Sequence, residues 1–213
     1  MTPEKYDAWY DSRRGRWIGD VEFELLCRHL DMRPGASLLD VGCGTGWFTR
    51  RLALAGLDVT GLDIDADALN FARERSHDIP YVEGDACRLP FPDRSFDQVI
   101  SVTALCFVAD WPRAIAEITR VTRRRFVLGL LNRHSLLWLD KSRNGGKGAY
   151  HGAHWHTRRE LAEAMQELPV EHIHFSSAIF LPSGTDLAQA VERTLPKSIP
   201  WGAFLLVSGD VAN

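Results

Sequence analysis

The residues best suited to chemistry lie in one stretch, Leu38-Leu39-Asp40-Val41-Gly42-Cys43-Gly44-Thr45-Gly46-Trp47. An apolar strand that runs into three glycines and then a helix can press backbone N–H groups against a ligand. Glycine takes positive φ and carries no Cβ, so the chain can approach closely. The helix start adds free donors and the positive end of a dipole. An adenosine-type ligand suits such a cradle. A dinucleotide fingerprint needs Gly-x-Gly-x-x-Gly, whereas here the spacing is Gly42-x-Gly44-x-Gly46 and the sixth position is Trp47. A tryptophan where a third glycine would permit close helix–strand packing argues against NAD(P).

Acids follow at predicted strand ends. Asp63 closes the run Val59-Thr60-Gly61-Leu62-Asp63, and Asp85-Ala86 follows Tyr81-Val82-Glu83-Gly84. Asp65 is placed to cap the next helix, which leaves Asp63 available to a ligand. Asp40 either pins the amides of the glycine loop or faces an amino group of the ligand. Cys43 reads as a small loop residue and not as a nucleophile.

The glycine stretch, Asp63, Asp85-Ala86 and the block Leu89-Pro90-Phe91-Pro92-Asp93-Arg94-Ser95-Phe96-Asp97 resemble, in that order, the class I S-adenosylmethionine-dependent methyltransferase family. The nearest branch is its small-molecule, methyltransferase type 11-like one, and the resemblance covers about residues 37–131. It implies S-adenosylmethionine as cofactor, with Asp63 on the ribose hydroxyls and Asp85 and Ala86 on the adenine edge. It implies a cofactor site of Asp40, Gly42, Cys43, Gly44, Gly46, Asp63, Ile64, Asp85, Ala86 and Ser101. Tyr10 and Trp17 would close over it from an aromatic-rich N-terminal segment. The activity implied is methyl transfer to a small molecule by in-line displacement. The sulfonium is already activated, so alignment of the reactants, worth roughly 7–11 kcal/mol, does most of the work. The rival readings are a non-catalytic S-adenosylmethionine-binding module and an enzyme acting on protein or nucleic acid. After the fourth strand stands Ile100-Ser101-Val102-Thr103-Ala104, with neither the Asn/Asp-Pro-Pro-aromatic motif of base-amine methyltransferases nor the Pro-Cys of cytosine-ring enzymes. A net charge of −3 leaves no basic footprint for nucleic acid.

A second group of residues lies in the connection 132–156. His151 and His154 are candidates for a general base or an acceptor contact, beside His156. With no acid or cysteine close by, the histidines are expected to hold no metal. Arg133, Lys141, Arg143 and Lys147 form either a positive lid over an anionic acceptor or a solvated loop. The run Arg123-Arg124-Arg125 reads as a solvated turn at the sheet edge away from the ligands.

The elements that must position these residues follow from periodicity. Strands are predicted at 37–41, 58–63, 80–84, 96–102, 125–131, 170–176 and 201–208. Helices are predicted at 17–30, 46–56, 66–76, 111–122 with Asp110 as its cap, from the capping box Thr157-x-x-Glu160 to about 168, and near 186–194. Strand and helix alternating at this interval argue an α/β fold, a doubly wound, mostly parallel seven-stranded sheet with helices on both faces. The family resemblance adds an antiparallel last strand. We expect one methyltransferase domain over 1–213. Its parts would be an N-terminal helical cap (1–30), a cofactor-binding core (37–131), a lid or insert (132–156) and the C-terminal part of the sheet (157–213).

Hydrophobic residues at 45% and charged ones at 25% are ordinary for a globular chain. No apolar window is long enough to span a bilayer, and Met1–Trp17 lacks the pattern of a signal peptide. Four scattered cysteines suggest reduced thiols. A cytoplasmic protein without nucleic-acid or membrane partners is expected, and its oligomeric state is not set by these features.

Overall fold

The computed structural model describes residues 2–142, 146 and 148–212. Seven strands form one sheet: β1 (Ser37–Val41), β2 (Asp58–Asp63), β3 (Tyr81–Glu83), β4 (Phe96–Val102), β5 (Thr122–Leu131), β6 (Val170–Ala178) and β7 (Phe204–Val211). Their order is β3-β2-β1-β4-β5-β7-β6. β1 to β5 pair in parallel, and β7 runs antiparallel to both of its neighbours. The chain winds from β1 outward to β2 and β3, then returns to start β4 on the other side of β1. Connections α3 (Trp47–Leu54) and α4 (Ala66–Arg75) therefore lie on the opposite face from α5 (Trp111–Val121), because crossovers of one hand moving in opposite directions cover opposite faces. The reversal between β1 and β4 opens a crevice at the carboxyl ends of the strands, where α/β sheets bind ligands.

Local chemistry fixes the elements. Val99, Ile100 and Ser101 in β4 are wholly buried, as are Phe126, Val127 and Leu128 in β5, which is the pattern of strands covered on both faces. Asp65 caps α4 by accepting from the Asp67 and Ala68 amides, and Thr157 caps α7 (Arg158–Met165) by accepting from Glu160 N. α8 (Asp186–Thr194) is capped by Thr185.

Several predicted boundaries move. The N-terminal segment holds α1 (Pro3–Trp9), and α2 spans Arg13–His29, four residues earlier than its apolar stripe indicated. Ser12 starts α2 by accepting from Gly15 N, a cap that hydrophobic periodicity does not register. Arg123, Arg124 and Arg125 lie inside β5 and not in a turn. Arg123 pairs with Asp97 and Arg125 with Asp210, so two of the three charges are paired within the sheet. The connection 132–156 contains α6 (Leu136–Lys141), capped by Ser135, and a 3₁₀ turn at Gly148–Tyr150. Of its basic residues, Lys141 pairs with Asp140 and Arg133 lies over the Trp138 ring, while Arg143 and Lys147 fall outside the described residues.

The antiparallel insertion of β7 depends on a small residue opposite a large one. Gly129 of β5 faces the Phe204 ring, and a Cβ there would overlap it. Overpacking of a closed core costs about 1–3 kcal/mol. Gly129→Ala should lower the melting temperature by several degrees, and Phe204→Leu introduced with it should recover part of the loss. Calorimetry on the single and double variants checks this coupling.

Candidate active site

The glycine loop is tied to the end of the neighbouring strand. The amides of Gly42 and Cys43 both donate to the Leu62 carbonyl, at 2.7 and 2.9 Å. The Asp63 carboxylate accepts from Gly44 N at 2.7 Å with one oxygen and from Asp65 N at 2.9 Å with the other. Gly42 and Gly46 have φ of +74° and +76°. A Cβ on Gly42 would overlap the Ala104 methyl, and one on Gly46 would stand 2.6 Å from Tyr81 Oη. Only glycine therefore fits both the dihedrals and the space.

Beside this loop lies a cavity of about 440 Å³, lined by residues at the carboxyl ends of β1, β2 and β4 and after β3. Of the predicted residues it brings together Gly42, Asp63, Ile64, Asp85 and Ala86. Its volume falls in the usual range for small-ligand sites, roughly 300–1,000 Å³. Asp63 and Asp85 offer carboxylates along its rim, and the glycine backbone leaves its wall free of side chains. These residues fit S-adenosylmethionine: acids for hydroxyl and amino donors, and apolar Leu62, Ile64 and Val102 for the flat ring.

Other predicted residues support the site or lie away from it. Asp40 is buried under the loop and accepts from Thr49 Oγ1 of α3 at 2.7 Å. Among the described residues it accepts from no loop amide and does not line the cavity, because its strand position points it toward α3. Cys43 turns toward Gly61, and burial pushes its thiol far up, so it stays protonated. Gly44 presents its amide to Asp63, and Gly46 forms the N-cap of α3. Ser101 is wholly buried and its hydroxyl has no partner among the described residues; the strand end that reaches the cavity is Val102–Thr103 instead. Trp17 is not at this site. It lines a separate groove of about 630 Å³ with Val21, Arg28 and residues of α8, since it lies about a quarter turn round α2 from Ile18, which lines the cavity under α1 and α2. Tyr10 is buried and stacks on Trp47, ring centroids 4.1 Å apart. Tyr6, from α1, is the N-terminal aromatic that reaches the cofactor cavity.

A second cavity, about 270 Å³, lies under α1 and α2. Tyr6, Thr103 and Phe107 line both cavities and so form the junction between them. Thr103 holds φ of +57°, a strained geometry for a β-branched residue, sustained by its amide donating to the Gly129 carbonyl at 2.7 Å. The connection 132–156 contributes Leu137, Ala149 and Tyr150 to this cavity. It does not contribute the predicted histidines. His151 is exposed, and His154 packs outside on Trp111 with its Nε2 2.6 Å from Glu160 Oε1. The bond from His154 N to the Cys106 carbonyl fixes the segment in that direction. Glu160 also stands 3.3 Å from His156 Nδ1, so an acid does lie beside these histidines, brought there by the first turn of α7. Burial and the neighbouring His154 hold His156 down at about 4.

Sequence reasoning missed Glu22, which lines the second cavity. Its signal was available: Arg14, Ile18 and Glu22 recur every four residues and share a helix face, but a charged residue on an apolar helix face does not by itself announce a cavity.

Burial raises Asp40 to about 7, with the Asp63 carboxylate adding repulsion and the Thr49 hydroxyl opposing it. The folded state then binds a proton more tightly than the unfolded chain. Stability is fully present below the unfolded value near 4 and falls as pH rises toward 7. Asp40→Asn should lack that part of the loss, so its melting temperature should gain on the wild type between pH 4 and 7. Thermal melts across that range check the sign, and parallel curves would place Asp40 in a solvated setting.

Residues 39–128 match the family model described as a methyltransferase domain. Malonyl-[acyl-carrier protein] O-methyltransferase of Erwinia pyrifoliae is 44% identical over 102 residues, covering 47% of this chain and 38% of that protein. Demethylmenaquinone methyltransferase of Renibacterium salmoninarum is 43% identical over 90 residues, covering 42% and 38%. The chain thus spans about two fifths of the length of these relatives. A crystal structure of an S-adenosylmethionine-dependent methyltransferase from Mesorhizobium loti superimposes with a TM-score of 0.66 at 25% identity, over 89% of this chain and 97% of that one. One from Thermotoga maritima gives 0.78 at 24% identity, over 98% and 95%, a likeness of fold. With the glycine loop, Asp63 and Asp85 gathered at the switch point of the sheet, residues 39–128 match the methyltransferase-domain model and the chain shares the Rossmann-like fold of these solved S-adenosylmethionine-dependent methyltransferases.

Proposed function

We propose that this protein transfers a methyl group from S-adenosylmethionine to a small-molecule acceptor, the cofactor in the 440 Å³ cavity and the acceptor in the 270 Å³ one. The observation that carries the reading is their junction at Tyr6, Thr103 and Phe107. When bound, S-adenosylmethionine supplies a methyl group on a positively charged sulfur that leaves readily. The chain's own residues do the rest. Asp63 and Asp85 accept hydrogen bonds from the nucleoside end. The loop from Gly42 to Gly46, its shape fixed by the Leu62 carbonyl and the Asp63 carboxylate, gives a wall bare of side chains that a ligand can approach closely, and Tyr6 covers the junction and excludes water. Positioning across that junction supplies the rate advantage.

The acceptor space is enclosed by α1, α2 and the 3₁₀ turn at Gly148–Tyr150, which suits a small molecule better than a folded macromolecule. An anionic acceptor finds little support in its lining: Arg133 and Lys141 are engaged elsewhere, and the cavity holds both Arg14 and Glu22. The whole of residues 1–213 acting as one methyltransferase unit, with α1 and α2 as its cap, belongs to the same proposal. So does a cytoplasmic location, which four free thiols support. Among the described residues no helix is long and apolar enough to cross a membrane.

Isothermal titration tests the cofactor. S-adenosylmethionine and S-adenosylhomocysteine should bind and NADH should not compete; equal binding of NADH would overturn the reading. Asp63→Ala should raise the S-adenosylhomocysteine dissociation constant about tenfold to hundredfold, the worth of hydrogen bonds to a charged group. It should also lower stability, because Asp63 holds the Gly44 and Asp65 amides. Gly42→Ala should abolish cofactor binding through the Ala104 overlap. Incubation with labelled S-adenosylmethionine and a metabolite extract separates an enzyme from a binding module by the appearance of a labelled small molecule.

A further inference from the structure

The cavity under α1 and α2 contains one group that the fold does not use. Glu22 is 9% exposed and lines the cavity on the same helix face as Arg14 and Ile18. Among the described residues its carboxyl group takes part in no hydrogen bond and no ion pair. A buried carboxyl group without a partner is unfavourable, so such a group persists where something outside the chain completes it. The charged and titratable groups that face it are few. Arg14 shares its helix, but Arg14 Nε donates to the Pro182 carbonyl at 2.7 Å. Tyr6 of α1, Tyr10 before α2 and Tyr150 of the 3₁₀ turn bring phenols. The remaining lining is apolar, including Trp9, Leu137 and Phe204. Burial raises Glu22 to about 8, in the range where a carboxylate works as a base near neutral pH.

The geometry points to Glu22 as the group that receives the acceptor: an apolar, ring-sized molecule whose nucleophile is an O–H or N–H bonded to the Glu22 carboxylate. This rests on the methyl-transfer reading and names the class of acceptor. The step balances without a further reactant. A lone pair on the acceptor's oxygen or nitrogen forms the bond to the methyl carbon, and the carbon–sulfur bond breaks with its pair going to sulfur. The acceptor's proton passes to a Glu22 oxygen. A sulfonium and a carboxylate thereby become a neutral sulfide and a neutral acid, so charge is annihilated in an apolar space, which a low dielectric favours. The same carboxylate repels an anionic acceptor.

The test uses 4-methylphenol, 4-methylaniline and toluene as probes, titrated into the protein loaded with S-adenosylhomocysteine. At least one of the two donors should bind about tenfold to hundredfold more tightly than toluene, and which one does so identifies the nucleophile. The preference should grow from pH 7 to 9 as the carboxylate forms, and it should disappear in Glu22→Leu and lose its pH dependence in Glu22→Gln. S-adenosylhomocysteine should bind both variants as it binds the wild type, which shows that they fold. Donors no tighter than toluene in the wild type, no binding of any probe, or a preference that survives in Glu22→Leu would each overturn the assignment while the cofactor reading stands. Failure of S-adenosylhomocysteine to bind the wild type would overturn the methyl-transfer reading, and this one with it.

Discussion

The carboxylate at the end of β2 is the constraint on which the site depends. Asp63 holds the amide of Gly44 with one oxygen and that of Asp65 with the other. The first bond spans two strands and the second starts α4. The Leu62 carbonyl, one residue earlier, takes the amides of Gly42 and Cys43. Four backbone donors at the mouth of the sheet are thus gathered by two consecutive residues of one strand. Hydrogen bonds to a charged acceptor are about twice as strong as neutral ones, so the loop's shape is set before any ligand arrives. A preorganised loop spares the ligand the entropy of ordering it.

That fixed loop also sets where the cap lies. Trp47 begins α3 immediately after the third glycine and offers its face to Tyr10, stacked at 4.1 Å with an interplanar angle of 14°. Asp7 of α1 meets Arg50 of α3 at 2.9 Å in a partly buried ion pair. α2 can pass this close because Gly19 carries no side chain. A Cβ there would stand 2.6 Å from Trp47 and 2.9 Å from Tyr10. The residue that argues against a dinucleotide is therefore the platform for the N-terminal cap. Tyr6 reaches the junction of the two cavities from a helix anchored in this way.

The core of the site was legible because its parts are local. A strand and three glycines are contiguous, and the acid Asp63 closes the very next strand, 19 positions after Gly44, so their geometry follows from residue type and a single crossover. The N-cap residues Asp65 and Thr157 were legible for the same reason. What escaped depends on long-range placement. α1 is seven residues long and makes no apolar stripe, so nothing in its sequence outweighs the reading of a loose segment. Trp17 and Tyr10 look equivalent as aromatic residues in a basic stretch, yet α2 directs one to a groove beside α8 and leaves the other buried against Trp47. His154 was a plausible base by type alone. Its direction is decided by a backbone bond to Cys106, 48 positions away, and by a carboxylate on α7.

The four carboxyl groups of the site divide by what surrounds them, and the division separates holding from reacting. Asp63 and Asp85 each accept backbone amides near the rim of the cofactor cavity, Asp85 from Cys87 at 2.8 Å. Asp40 is buried with a hydroxyl partner, and its proton is retained toward neutral pH as part of the packing beneath the loop. Glu22 is buried with neither amide nor hydroxyl. A structural role would be better served by a leucine of similar volume, since replacing an unpartnered buried polar group by an apolar one of the same shape is neutral or stabilising. Glu22 lines the same cavity as Tyr6, Thr103 and Phe107, which under the proposed methyl transfer is where an acceptor would give up its proton.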